Sequence, residues 1–140
     1  MSLTEGFVDT NVFGFARAES RRALHGCQEL LRRAAQGTMA LTLDPMVLHE
    51  LTYVLPRDVQ QMDRRDAALY LRTVVAWPGI ILHEEPFWLS VLDTWESDGR
   101  LSWADAVLIR RAQAAGRPVW TRNHRDFARY PLAPATWPTP

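Results

Sequence analysis

Short apolar runs alternate with stretches in which apolar residues recur every three or four positions, and this pattern predicts the elements of the chain. The short runs predict buried strands at residues 6–8, 39–43, 80–82 and 118–120. The longer stretches predict helices at about residues 20–35, 45–56, 59–75, 86–97 and 102–116. Strands that alternate with helices in this way predict an α/β fold whose mostly parallel sheet is covered on both faces.

Residues that favour helix ends mark several of these boundaries. Ser20 and Ser102 are candidate N-caps, and Asp105, three residues after Ser102, completes a pattern similar to a capping box. Gly37 and Gly116 follow the last periodic positions of two helices, where glycine commonly ends a helix. These local signals therefore predict where two of the helices start and stop.

The length and composition predict one domain. A chain of 140 residues that is 47% hydrophobic can bury one core and rarely supports two. Prolines gather between residues 131 and 140, which predicts an extended tail. We therefore predict a single domain over residues 1–140 that ends in this proline-rich tail.

Charge and cysteine content exclude several classes of protein. The chain has 16 basic and 16 acidic residues, so binding to RNA would need a local patch rather than overall charge. Every one of those basic residues is arginine, which excludes both the lysine of a Walker-type phosphate loop and Schiff-base chemistry. Cys27 is the single cysteine, and a lone thiol points to a reducing cytoplasm. The sequence predicts no membrane span and no secretory signal.

Three carboxylates stand at positions that suggest chemistry. Asp9 directly follows the first predicted strand, and working groups collect at that end of a parallel sheet. Glu50 borders the apolar face of its predicted helix, and Asp105 lies in the first turn of another. Taken alone, Glu50 also suits a solvated flank and Asp105 a capping role. Brought together, the three would repel one another, and oxygen ligands without a His or Cys cluster favour Mg²⁺ or Mn²⁺ over zinc.

Four segments of the chain resemble the motifs of PIN-domain nucleases, in that family's order. Residues 7–12 (FVDTNV) are similar to the opening strand with the first acid, and residues 48–55 (LHELTYVL) to the helix with the second. Residues 101–109 (LSWADAVLI) are similar to the helix with the third acid, and residues 119–127 (VWTRNHRDF) to the closing strand and turn. The size and motif style resemble the VapC-type toxins of bacterial toxin–antitoxin pairs.

The resemblance implies a three-layer α/β/α sandwich with a central, mostly parallel sheet, and RNA cleavage assisted by Mg²⁺ or Mn²⁺. It implies that Asp9, Glu50 and Asp105 are the metal-binding and catalytic acids, with Asp126 as a weaker fourth candidate. It also implies a homodimer that is inhibited by a small antitoxin protein, whose tail reaches into the acidic site, often with an arginine.

The segment after the fourth predicted strand departs from the family pattern. Asn123 stands where many family members have a fourth acid, and Asp126 supplies an acid three residues later. Asn123 would then orient a water, and Thr121 would donate a hydrogen bond to Asp9 or to a phosphate. The number of metal ions therefore stays open. The residues predicted to contact RNA are Asn11, Thr121, Arg122, Asn123 and Arg125.

Two other functions are compatible with the same residues. A degenerate PIN fold could bind RNA or a protein without cutting, and Asn123 favours this alternative. A strand followed by Asp9-Thr10-Asn11 also resembles the first motif of haloacid-dehalogenase phosphatases, in which the first aspartate is a nucleophile. That family requires a second aspartate where Asn11 stands, which counts against the phosphatase.

Overall fold

The computed structural model describes residues 4–17, 21–57 and 61–140, and within these ranges it leaves out the side chains of residues 17 and 21–25. The candidate cap Ser20 lies outside the described residues, as does Val59, the predicted start of a helix. Residues 61–63 are described and are not helical, so the prediction of a helix over residues 59–75 is wrong before Arg64, where Asp63 is the N-cap. Contacts along the chain divide it into two compact units, Met1–Glu85 and Pro86–Pro140. The expectation of a single domain stays a prediction.

The first unit contains a parallel sheet of three strands in the order β1-β2-β3, together with four helices among its described residues. This arrangement confirms the predicted α/β class and the parallel sheet. In chain order the elements are β1 (Thr4–Phe7), α1 (Thr10–Arg17), α2 (Arg21–Gln36), β2 (Met39–Thr42), α3 (Pro45–Val54), α4 (Arg64–Val75) and β3 (Ile80–Ile81), with a short 3-10 turn at Leu55–Arg57 after α3.

The sheet buries its central strand. Leu41 lies beside Gly6 on one side and Ile80 on the other, and its backbone N–H donates to the Gly79 carbonyl at 2.7 Å. Its side chain is almost fully buried, as is that of Leu43 just beyond the strand. The core of this unit consists of large apolar side chains from the sheet region and the helices: Phe13, Leu41, Leu43, Leu48, Leu51, Leu55, Leu71 and Val74.

Local signals fix several helix ends in the first unit. Asp44 is the N-cap of α3 and accepts a hydrogen bond from the Met46 N–H at 2.8 Å, while Pro45 occupies the first turn, where its missing N–H costs nothing. Gly37 ends α2 with a φ of 76°, a left-handed conformation that glycine adopts easily. The end of α2 and the start of α3 therefore lie within a residue of the predicted positions.

The second unit contains three helices among its described residues: α5 (Glu85–Ser97), α6 (Trp103–Ala115) and α7 (His124–Phe127). The predicted capping box at the start of α6 is confirmed, and Gly116 ends that helix with a φ of 63°. Three tryptophans pack together in this unit: Trp88 stacks on Trp103 with ring centroids 6.4 Å apart, and Trp95 meets Trp103 edge-on at 6.0 Å. Aromatic packing therefore supplies much of the core here.

The prediction of a fourth strand at residues 118–120 is wrong. These residues lie in the described part of the chain and form no strand pairing. Pro118 has no N–H to donate to a sheet. Val119 instead packs against a small buried cluster formed by Leu101, Ile109 and Phe127. The side chain of Val119 is therefore partly buried although residues 118–120 belong to no sheet.

Helix α1 was not foreseen from the sequence. Its eight residues include Val12 and Gly14, which lower helix propensity, and the pattern around them is short. Packing explains why it forms: Phe13 is completely buried, and the helix contacts both α2 and α3.

Among the residues described, no helix combines the length and the apolar character needed to cross a bilayer.

Candidate functional site

Asp9 lies two residues beyond β1, at the carboxyl end of the parallel sheet, and its side chain is exposed. Its Oδ1 accepts a hydrogen bond from the Thr10 N–H at 2.7 Å. Its carbonyl oxygen accepts one from the Val12 N–H at 3.2 Å, which forms the first turn of α1. The junction between strand and helix therefore holds this carboxylate in place.

Thr10 connects this junction to Glu50. The Thr10 hydroxyl donates to Oε2 of Glu50 at 2.8 Å, across a separation of 40 positions in sequence. The threonine is only 6% exposed, whereas the Glu50 side chain reaches the surface from α3. A buried hydroxyl without a hydrogen-bond partner costs free energy. Because Glu50 is the partner of the Thr10 hydroxyl, this contact stabilises one arrangement of α1 against α3.

The Asp9–Thr10–Glu50 junction therefore brings two of the predicted acids to one residue. Both carboxylates are exposed to solvent, while the threonine between them is buried. Exposed carboxylate oxygens are the ligands that Mg²⁺ and Mn²⁺ prefer. Asn11, a predicted RNA contact, follows directly in α1 and is exposed.

Asp105 is engaged with its own helix. Its Oδ2 accepts a hydrogen bond from the Ser102 N–H at 3.2 Å, and its N–H donates to the Ser102 hydroxyl at 3.1 Å. The side chain is half-buried in the first turn of α6, where the helix dipole stabilises a negative charge. The capping role that the sequence offered as an alternative is thus present.

The segment from Thr121 to Asp126 is held by its own polar groups. The Asn123 N–H donates to the Thr121 hydroxyl oxygen at 3.0 Å, and the Asn123 side-chain amide donates to Oδ2 of Asp126 at 2.9 Å. Asp126 also lies 3.6 Å from the Arg129 guanidinium. Asn123 therefore orients the carboxylate of Asp126, the residue predicted to be the fourth acid. Arg122 and Arg125 are exposed beside this segment.

Asp98 anchors the residues that follow this segment. Its Oδ2 lies 2.6 Å from Arg129 and accepts a hydrogen bond from the Tyr130 hydroxyl at 2.8 Å. Burial acts to raise the pKa of Asp98, but the hydrogen bonds from Tyr130, the Arg100 N–H and Arg129 together outweigh it, and the pKa lies below its usual value. Burial and the contact with Asp98 raise the pKa of Tyr130.

The variant Tyr130→Phe is expected to lower the free energy of unfolding at pH 7 by about 1–2 kcal/mol, because it removes a hydrogen bond to a charged acceptor. The lowered pKa of Asp98 adds stability that is lost as the pH falls through the folded value. The raised pKa of Tyr130 adds stability that is lost as the pH rises through its folded value. The loss in the variant is therefore largest between about pH 4 and pH 10.

Urea unfolding of both proteins at several pH values measures this difference. Tyr53→Phe is the matched control, because Tyr53 is 61% exposed and phenylalanine keeps its ring under Arg57. An equal loss of stability at pH 3 and pH 7 for Tyr130→Phe would contradict the role assigned to Asp98.

The predicted acids thus fall into two groups. Asp9 and Glu50 share Thr10 in the first unit, while Asp105 and Asp126 belong to the second unit and have the partners given above. Over residues 4–17, 21–57 and 61–140, no three His, Cys, Asp or Glu side chains are grouped so that they could hold one metal ion.

No family model matches the chain, and a search of curated proteins finds no match either.

Sequence reasoning did not foresee two roles in these contacts. In the sequence, Thr10 stood out only as part of the Asp-Thr-Asn motif. Its hydroxyl donates to Glu50, which lies 40 positions later. No pattern in the sequence indicated a role for Asp98. Nothing local to Asp98 in sequence signals Tyr130, which lies 32 positions later.

Proposed function

We propose that this chain is a metal-dependent endoribonuclease that hydrolyses phosphodiester bonds of RNA. The observation that carries the proposal is the Asp9–Thr10–Glu50 junction, in which one buried hydroxyl positions two acids at the carboxyl end of a parallel sheet. Ligands in α/β folds commonly bind beyond this end of the strands. The likeness of four segments to PIN-domain nucleases supports the same conclusion.

Asp9 and Glu50 would hold a Mg²⁺ or Mn²⁺ ion, with Asp105 and Asp126 as further ligands in the proposed three-layer α/β/α arrangement. The donor set fits these ions, because it consists of carboxylate oxygens without a thiolate. When bound, such an ion stabilises negative charge on a phosphate and makes water a better nucleophile.

The side chains of this unit have separate tasks in the proposed reaction. Thr10 keeps its hydroxyl on Oε2 of Glu50, so Oε1 of Glu50 is the oxygen proposed to accept the proton of the attacking water. Thr10 also donates its N–H to Asp9, which keeps that carboxylate in a fixed position. Asn11 follows Thr10 and is exposed, and it is proposed to contact the RNA.

Arg122 and Arg125 are proposed to bind the phosphates that flank the cleaved bond. Both are exposed, and the planar guanidinium donates two hydrogen bonds at once to a phosphate. Thr121 and Asn123 would complete the contacts with the RNA.

The biological setting that we propose is a toxin–antitoxin pair in the cytoplasm. A homodimer of this chain would be the toxin, and a small antitoxin protein would inhibit it. An exposed pair of carboxylates favours an inhibitor that carries an arginine, because a guanidinium pairs with carboxylates through two parallel hydrogen bonds.

The test is RNA cleavage by the purified protein with Mg²⁺ or Mn²⁺, with and without a chelator, and by two variants at Thr10. Thr10→Val removes the hydroxyl while keeping the shape, and we expect at least about tenfold slower cleavage, together with about 1 kcal/mol less stability. Thr10→Ser keeps the hydroxyl and is expected to cleave RNA at close to the wild-type rate. Cleavage that persists in excess chelator would reject the metal-dependent mechanism.

A non-catalytic RNA-binding module is the second candidate. It is favoured by the contacts of Asp105 with Ser102 and of Asp126 with Asn123 and Arg129, because these acids already have partners within the protein. Calorimetric titration of Mg²⁺ and Mn²⁺ into the protein distinguishes the two. RNA binding without metal binding or cleavage would favour the module.

A further inference from the structure

A groove of about 350 Å³ lies between α7 and the C-terminal tail in the second unit. Residues 131–140 form neither helix nor strand, yet Leu132 packs against the buried cluster of Leu101, Ile109 and Phe127, which holds the tail along α7. The volume lies within the range of small-ligand sites in proteins. The residues that give the groove its chemistry are Thr121, His124, Tyr130 and Trp137.

Trp137 is the largest side chain of this lining. It is 44% exposed, so much of its ring is available to a ligand. The guanidinium of Arg122 lies over the ring at 5.1 Å from its centroid, within the range of a cation–π interaction. Thr121 and His124 add hydrogen-bonding groups to an otherwise apolar lining. The exposed part of this ring, with the cation over it and polar groups beside it, is a surface on which a nucleobase can stack.

The charge around the groove favours RNA as its occupant. Arg122, Arg125 and Arg129 lie in or beside α7, and Asp126 is the single acid between residues 117 and 130. Asp126 is paired with Asn123 and Arg129, and Arg129 is also paired with Asp98, so Arg122 and Arg125 are the cations proposed to bind phosphate. This segment is therefore basic within a chain that has no net charge, which suits a phosphate backbone.

We propose that this groove binds one base of single-stranded RNA, with the base stacked on Trp137 and its phosphates bound by the adjacent arginines. The proposal deepens the proposed function, since it rests on RNA being the substrate. It assigns a base-binding subsite in the second unit, separate in sequence from the Asp9–Thr10–Glu50 junction. His124 and Thr121 would give hydrogen bonds to the edge of the base.

The test measures RNA binding without cleavage, in the presence of a chelator. The probes are a fluorescently labelled single-stranded oligouridine and an abasic oligomer of the same length, which keeps the phosphates but has no bases. Trp137→Ala is compared with Trp120→Ala, because Trp120 is similarly exposed at 55% and does not line the groove. Trp137→Phe keeps an aromatic face.

We expect Trp137→Ala to weaken oligouridine binding by about tenfold, and Trp120→Ala and Trp137→Phe to change it far less. The abasic oligomer should bind all four proteins equally. Circular dichroism shows whether each variant is folded. If Trp137→Ala fails to fold, Ala135→Leu serves instead, because it adds a larger side chain to the groove while keeping the ring, and the same loss is expected.

Equal binding of oligouridine by Trp137→Ala and Trp120→Ala would overturn the base subsite and leave the groove to a peptide. So would an equal loss of affinity for the abasic oligomer. The outcome is separate from that for the nuclease. Binding that depends on Trp137, without cleavage under any metal, supports the subsite and rejects the nuclease. Metal-dependent cleavage, together with RNA binding that Trp137→Ala does not change, supports the nuclease and rejects the base subsite.

Discussion

Replacing Asp9 by asparagine is expected to slow the proposed Mg²⁺-dependent RNA cleavage by at least about a hundredfold. Asparagine has nearly the same shape, and its carbonyl oxygen can still accept the hydrogen bond from the Thr10 N–H. The start of α1 should therefore survive. The negative charge that would bind the cation is lost, and because Asp9 lies exposed at the carboxyl end of the sheet, the effect falls on the site rather than on the core.

Single-turnover cleavage of a labelled RNA measures this loss, with thermal unfolding as the check on folding. Asp66→Asn is the matched control, because Asp66 is an exposed aspartate in the first turn of α4, within the same unit. It makes the same chemical change at another helix and should keep the wild-type rate. A folded Asp9→Asn variant that cuts RNA as fast as the control would end the assignment of Asp9.

The largest expected effect on stability is that of Gly79→Ala. A Cβ at this position would lie 2.1 Å from the Met39 carbonyl oxygen and 2.5 Å from the Ala34 carbonyl oxygen. Both contacts are with backbone, so no side chain can rotate to relieve them. Gly79 also donates its N–H to Ala34 and accepts from Leu41, which fixes its position between α2 and the sheet. We expect a loss of about 3 kcal/mol or more, at the upper end of overpacking effects.

Urea unfolding at neutral pH measures the change, and Gly6→Ala is the matched control. Gly6 is also a glycine beside β2, but a Cβ there meets no atom within 4 Å. Its replacement should change the stability by well under about 1 kcal/mol. A Gly79→Ala protein as stable as the Gly6→Ala control would mean that the chain at the start of β3 does not approach α2 as closely as described.

The parts of the fold that were predictable are those specified by neighbouring residues. The capping box of Ser102 and Asp105 and the left-handed Gly116 together give α6 its ends. The apolar runs around Leu41 and Ile80 correctly predicted two strands, because a short apolar run between turn signals is itself typical of a strand. Such signals operate over a few residues and are visible in one sequence.

The parts that were not predictable depend on packing between distant segments. Helix α1 forms because Phe13 finds a buried site against other helices, although Gly14 weakens the local tendency to form a helix. Residues 118–120 have an apolar sequence typical of a strand, yet Val119 packs its partly buried side chain against the cluster of Leu101, Ile109 and Phe127. Periodicity alone does not show what a residue will be buried against.

The same division applies to the candidate site. The sequence predicted Asp9 and Glu50 as acids of one metal site, and in the structure both accept a hydrogen bond from Thr10. It did not predict that Asp126 would be held by Asn123, since an amide and a carboxylate three residues apart meet only when the chain turns into a short helix. The grouping of all the acids around one ion stays a prediction.

The reciprocal hydrogen bonds between Ser102 and Asp105 also affect how readily that carboxylate could take a further partner. The cap engages one of its two oxygens, Oδ2, and so restricts the side chain to one rotamer when α6 forms. A free aspartate would lose this rotational freedom upon binding a ligand, whereas here the entropy is already lost upon folding. The capped helix thus holds this carboxylate in one orientation, and a ligand that competed with the Ser102 N–H for Oδ2 would lower the stability of the first turn of α6.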